Sequence, residues 1–232
     1  MKKWTRVMYQ PNRPLKEGCY VTASKEHIAL SREAAAEGMV LLKNEHKLLP
    51  LKAGSRIALF GKGSFDYVKG GGGSGDVTVS YVHNLYDGFQ MLHDAVSLYE
   101  PLCDFYRANV NEQYDQGSVP GMTTEPALSA GLLAGASAYT DTAVIVLSRF
   151  SGEGWDRSSI EYNGEYNPWE TETSMPKISG EIFPDGDFYL TKEESAMIAQ
   201  VKQHFSRIAV VLNIGGIIDT SWIKNDDQIS SA

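Results

Sequence analysis

Apolar positions first fall into a pattern after residue 23. Ser24 stands where a helix cap belongs, and apolar or small residues follow at Ile28, Leu30, Ala34, Ala35, Ala36 and Met39, which predicts a helix. The run Met39-Val-Leu-Leu-Lys43 keeps the apolar signal until Asn44, Glu45 and His46 break it ahead of Leu48-Leu-Pro-Leu51. Arg56-Ile-Ala-Leu-Phe60 is short, apolar after its first residue and closed by Gly61, the mark of a strand covered on both faces. Val77 to Val82 alternates and is β-branched, which predicts a second strand. Asn84 then caps a helix with Leu85, Phe89, Leu92 and Val96 on one face. Further helices are expected near 99–115 and, from small residues, near 124–138. Thr142-Ala-Val-Ile-Val-Leu-Ser148 is a continuous β-branched strand, followed by a long polar and aromatic loop over 149–190. Thr191 and Glu194 form a capping box opening a helix to about 206, and Ile208-Ala-Val-Val-Leu-Asn213 is another apolar strand, ending at Ile214-Gly-Gly216.

This alternation of buried strand, glycine or polar loop and helix predicts an α/β fold: a mostly parallel sheet flanked by helices on both faces. Ligands then bind at loops following the carboxyl ends of the strands. The sequence stops at Ser230-Ser-Ala232 with no further periodic helix and strand, so the sheet is expected to be incomplete at its C-terminal end.

Length changes this picture little: 232 residues make one large domain or two small ones. Charge excludes more. Lys plus Arg number 21 against 29 for Asp plus Glu, a net charge of −8, which argues against a nucleic-acid or anionic-membrane partner. Cys19 and Cys103 make no disulfide framework. The basic start Met1-Lys-Lys-Trp-Thr-Arg6 leads to Pro11 and Pro14 instead of an apolar run, and so does not read as a signal peptide. No stretch approaches a membrane span, so a cytoplasmic protein is expected. His27, His46, His83, His93 and His204 show no metal-binding spacing, and neither metal nor cofactor is expected.

Two loops carry the candidate chemistry. The first is Gly61 to Asp76, with the run Lys69-Gly-Gly-Gly-Gly-Ser-Gly-Asp76. Glycines let backbone amides approach a ligand closely. A P-loop requires Gly-Lys-Ser/Thr at its end, where Gly75-Asp76-Val77 stands, and a Rossmann fingerprint requires glycine where Asp66 stands. A hydrolase elbow requires glycine at Asp76. Two readings stay open: a tightly turned structural loop, or one that hugs a neutral polar ligand with Ser74 offering a hydroxyl. The second loop begins Ser148-Arg-Phe-Ser-Gly-Glu153-Gly-Trp155-Asp156-Arg157. Arg149, Arg157 and Asp156 are able to pair and stiffen it, and Trp155 offers a flat apolar face. An apolar wall raises a carboxyl pKa by desolvation, which makes Glu153 a candidate acid/base; a solvated loop glutamate is the equal alternative. Downstream, Glu161, Tyr162, Glu165, Tyr166, Trp169, Glu170 and Glu172 suit a carbohydrate cleft or a lid packing on itself.

A family resemblance joins these residues. Ser31-Arg-Glu-Ala-Ala-Ala-Glu-Gly-Met-Val-Leu-Leu-Lys-Asn44 with Leu48-Leu-Pro-Leu51 closely resembles the opening of the α/β sandwich domain of glycoside hydrolase family 3, which includes β-glucosidases and β-xylosidases. Lys69 to Asp76 is similar to that family's substrate loop, and Gly152-Glu-Gly-Trp-Asp-Arg157 to its E-G-x-D-R segment. Asp187-Phe-Tyr-Leu190 and Val210-Val-Leu-Asn213-Ile-Gly215 match the next landmarks in order. The resemblance spans about 24–222 and implies residues 24–232 as sandwich domain after an N-terminal extension at 1–23. It also implies a retaining β-glycosidase of β-glucosidase type, acting on terminal β-linked sugars with Glu153 as acid/base. Ser74 is then the glycone contact, with Gly73, Lys69 and Trp155 lining the substrate site and Asp156 and Arg157 fixing the loop. The nucleophile aspartate belongs to a (β/α)8 barrel domain, a required partner, and the sandwich starting close to Met1 suggests the family's inverted domain order. Retaining hydrolysis needs two carboxyls roughly 5–5.5 Å apart. Only one falls in this chain, which is expected to be inactive alone. The alternative is a non-catalytic carbohydrate-binding or scaffold module of the same fold.

Overall fold

The fold is taken from a computed structural model, which describes residues 15–20, 24–72, 79, 81–152 and 174–232. The chain divides into two compact units, Met1–Leu41 and Leu42–Ala232.

In the first unit, β1 (Leu15–Lys16) pairs antiparallel with β2 (Cys19–Tyr20). Glu17 and Gly18 between them both have positive φ, 55° and 79°, as a two-residue hairpin turn requires to match the strand twist. The expected helix is present as Lys25–Glu37, its start satisfied by Ser24, whose hydroxyl accepts the His27 N–H at 3.3 Å. No residue of this helix is buried, and the apolar run Met39 to Leu42 that follows is exposed and irregular instead of continuing it.

The second unit is built on five parallel strands in the order β4-β3-β5-β6-β7. These are β3 (Ser55–Phe60), β4 (Val96–Leu98), β5 (Thr142–Arg149), β6 (Arg207–Ile214) and β7 (Ile229–Ser231). All eight residues of β5 are buried, because it lies mid-sheet with layers above and below, and its unbroken apolar run is the sequence consequence. Alternate residues feed two cores. Ala58, Phe60, Ala143, Ile145, Leu147, Ile208 and Val210 face the helices Glu100–Asp115, Ala130–Tyr139 and Lys192–His204 through Leu102, Tyr106, Leu133, Ala136, Met197 and Val201. Ile57, Leu59, Val144, Val146 and Ala209 face the other way, onto Leu48, Leu85, Tyr86 and Phe89. The expected parallel sheet between helical layers is therefore present.

Four expectations change. The strand expected at 77–82 lies mostly outside the described residues, and Val79, Tyr81 and Val82 are exposed and belong to no strand. β4, whose Val96 the pattern assigns to the Asn84 helix, pairs with β3 instead. The Asn84 capping box is real, with Asp87 N–H to Asn84 Oδ1 at 2.8 Å and Asn84 N–H to Asp87 Oδ2 at 3.0 Å, but its helix ends at Gln90. Val96 and Leu98 are buried with Ser97 exposed between them, an alternation too short to stand out beside a helical period. The small-residue helix begins at Ala130, not 124: Pro126 disfavours helical backbone at Glu125, and Ser129 takes the cap from Leu132 N–H at 3.2 Å. Finally, the sheet continues past β6. A short helix, Ser221–Lys224, leads to β7, whose three residues are all buried. Elements this short leave no periodic trace.

The family-like segment Leu42-Lys43-Asn44 closes beside β7. Its amides at 42 and 43 donate to the Ala232 carbonyl at 2.8 and 3.1 Å. Lys43 Nζ donates to the Asp226 carbonyl at 2.8 Å, and the Asn44 amide brackets Leu49 with bonds of 2.8 and 3.1 Å.

Candidate active site

The carboxyl ends of β3, β5 and β6 release three loops side by side. The chain leaves β3 through Gly61, whose φ of 96° and nearness to β5 both require glycine: a Cβ there would lie 2.2 Å from the Val146 carbonyl oxygen. A single 3-10 turn, Lys62–Ser64, follows and is wholly buried. Lys62 Nζ pairs with Asp66 Oδ2 at 3.0 Å inside the protein. Asp66 also accepts Tyr114 O–H at 2.5 Å, Gly121 N–H at 2.5 Å, Thr123 N–H at 3.1 Å and Thr123 O–H at 2.6 Å. Burial alone would raise the Asp66 pKa, but the Lys62 charge and these donors outweigh it and hold the carboxyl below its usual range. Glu125, also buried, accepts the Lys62 backbone N–H at 2.8 Å. It lacks a comparable set of charges, and burial pushes its pKa up to about 7.

Beyond Asp66 the loop is laced to its neighbours. Ser148 Oγ donates to the Asp66 carbonyl at 3.1 Å. Asn213, near the end of β6, accepts the Val68 N–H at 2.8 Å and donates to the Val68 carbonyl at 3.1 Å. Gly72 N–H donates to the Ser151 carbonyl at 2.9 Å. A Cβ at Gly71 would lie 3.0 Å from that carbonyl oxygen, and one at Gly152 only 3.2 Å from Gly72 Cα. Ser151 Oγ in turn donates to the Gly215 carbonyl at 3.2 Å. Glycine at these positions lets backbone run closely against backbone, with the Phe150 ring packed beside them, 3.1 Å from the Cβ position of Gly72.

Arg149 anchors the loop after β5. Its side chain is buried and, to described residues, donates two hydrogen bonds to Glu194, both at 2.6 Å, and three at 3.0 Å to the carbonyls of Ser148, Asp187 and Tyr189. A guanidinium has five N–H groups, so these bonds engage all of them. The sequence suggested Asp156 as the pairing carboxylate; Asp156 lies outside the described residues, and the salt bridge that is described goes to Glu194. Glu194 meanwhile completes the expected capping box with Thr191.

Of the residues singled out from sequence, Lys69 is described and sits exposed at the start of the glycine run. Gly73, Ser74, Glu153, Trp155, Asp156 and Arg157 lie outside the described residues, as does the acidic-aromatic stretch over 161–172. The structure joins their flanks, bringing 71–72 against 151–152. Sequence reasoning missed Asp66, Glu125, Arg149–Glu194 and the bonds of Asn213. A signal existed for two: Lys62 and Asp66 are four apart on one turn, and Arg149 is the one charged residue of a mostly apolar strand. Among the described residues no three His, Cys, Asp or Glu side chains are placed to hold a metal ion, and no helix is long and apolar enough to cross a membrane.

A parallel α/β sandwich with a glycine seam at the ligand end of its sheet is the class of domain defined so far. The model of the glycosyl hydrolase family 3 C-terminal domain matches residues 39–232, and the chain belongs to that family. Over all 232 residues it is 53% identical to Beta-glucosidase A of Butyrivibrio fibrisolvens, of which it covers 28%. It is 30% identical over 204 residues to a beta-glucosidase of Ruminococcus albus, 85% of this chain and 19% of that protein. Among solved structures, beta-glucosidase 3B from Thermotoga neapolitana in complex with alpha-D-glucose superposes with a TM-score of 0.71 at 30% identity, over 89% of this chain and 26% of that one. A beta-glucosidase from Paenibacillus barengoltzii gives 0.71 and 30% over 90% of this chain and 21% of that one. The chain thus spans under a third of the length of the curated relatives it matches.

Proposed function

We propose that this chain is the sandwich domain of a retaining, cytoplasmic β-glucosidase, comprising residues 24–232 after a short N-terminal extension. In this reading Glu153 is the acid/base, protonating the leaving oxygen during glycosylation and activating water during deglycosylation. Ser74, Gly73, Lys69 and Trp155 contact a small β-glucoside, while Asp156 and Arg157 brace the loop. A (β/α)8 barrel domain carries the nucleophile aspartate. The observation that carries the reading is the bond from Gly72 N–H to the Ser151 carbonyl, 2.9 Å. It supports one site, because it ties the stem of the glycine run to the stem of the Glu153 loop at the end of the sheet where ligands bind. The neutral, glycine-lined seam suits an uncharged polyhydroxyl ligand.

The test is Glu153→Gln in the full-length enzyme, assayed on aryl β-glucosides of graded leaving-group ability. The expected loss in kcat/KM is about 100-fold or more for poor leaving groups and far smaller for good ones, because only the former need the proton. An equal loss across the series removes the acid role.

A further inference from the structure

We propose that Asn213 is a positioning residue for the substrate loop: its side-chain amide fixes Val68 and thereby sets where Lys69, Gly70 and Gly71 stand. This role deepens the reading above and rests on it. Asn213, near the end of β6, and Val68, on the loop after β3, are 145 positions apart yet bond reciprocally, N–H to Oδ1 at 2.8 Å and Nδ2–H to carbonyl at 3.1 Å. A side-chain amide has the donor and acceptor of a peptide group, so Asn213 serves Val68 as a neighbouring strand would. The fixation is placed where it matters. On one side, Asp66 is already held by its five donors and by Ser148 Oγ to its carbonyl. On the other, Gly72 is held by Ser151. Between these anchors run Val68 to Gly71; Lys69, Gly70 and Gly71 are exposed, and open space surrounds the Cβ position of Gly70. Asn213 thus pins the middle of a span whose glycines have wide backbone freedom. Without it, the loop samples more positions before substrate arrives, and that ordering must be supplied by binding.

The role predicts a split between binding and chemistry. In the full-length enzyme, Asn213→Ala raises KM for an aryl β-glucoside about tenfold while kcat changes less than about threefold, as expected when a contact common to ground and transition states is weakened. Amide exchange at 68–72 accelerates by a similar factor, whereas that of β5 does not. Asn213→Asp offers a rescue. Its ionised carboxylate keeps the acceptor but loses the donor, and the neutral acid restores both. The ratio of its KM to that of the wild type should therefore narrow as pH falls toward about 4–5. Unchanged exchange in Asn213→Ala overturns the proposal, as does faster exchange with unchanged KM. A variant that loses β5 protection as well has unfolded the sheet; the Asn213→Asp ratio then decides, and a ratio constant with pH overturns the role. A wild-type enzyme with no turnover of any β-glucoside fails the functional reading itself, before any variant is compared.

Discussion

Asp66 and Glu125 are buried within reach of the same residue, Lys62, and respond to pH in opposite senses. Asp66 meets an ammonium and a ring of donors, so its folded pKa lies below the usual 3.8. Its contribution to stability is present above that value and is lost as pH falls through the folded one. Glu125 is dominated by burial, which raises its pKa from the usual 4.5 to about 7. Its contribution is complete below about 4.5 and is lost as pH rises through 7, where the buried group must ionise. Glu125→Gln keeps an acceptor for the Lys62 N–H and removes the titration. We therefore expect this variant to gain about 1–3 kcal/mol relative to wild type between pH 5 and pH 8. Parallel melting-temperature profiles for the two proteins over that range contradict it. Buried Cys103, its thiol pushed up to about 12 by burial with the Glu100 charge adding to it, is held as an unreactive thiol.

At the scale of elements, the helix Lys192–His204 shows how one residue serves both local and tertiary structure. Its capping box was legible because Thr191 and Glu194 stand three apart, a spacing that local hydrogen bonding dictates. The second task of Glu194, neutralising Arg149, was not, since Arg149 precedes it by 45 positions and nothing local relates them. The two tasks separate by mutation. Thr191→Ala removes a cap and should cost about 1 kcal/mol. Glu194→Ala also strands a buried guanidinium and should cost about 3–5 kcal/mol. Urea unfolding of both variants checks the order, and equal losses would show that the ion pair adds nothing beyond the cap. The same contrast of range explains β4 and β7. Long buried strands such as β5 announce themselves, whereas three-residue strands are stabilised by the sheet edge they join.

At the scale of the whole molecule, the arrangement divides labour. The sheet gathers three loops that are remote in sequence, and in our reading this chain contributes one catalytic carboxyl while a barrel contributes the other. A retaining mechanism needs the two roughly 5–5.5 Å apart. The 232 residues alone should therefore release no aglycone from an aryl β-glucoside under conditions where the full-length enzyme does. Substantial turnover by the chain alone overturns that division.

The sequence by itself determined the class of fold, the three long strands β3, β5 and β6, the principal helix caps and the kinship with glycosyl hydrolase family 3. Each is written in neighbouring residues: burial on both faces makes a strand continuously apolar, and a helix start needs a side-chain acceptor a few positions from its free N–H groups. The tertiary structure alone decided the strand order, the edge strands, the buried partners of Arg149 and Asp66, and the grip of Asn213 on Val68. Those depend on which distant segments meet, and a contact across 145 positions leaves no period or spacing in the chain to read.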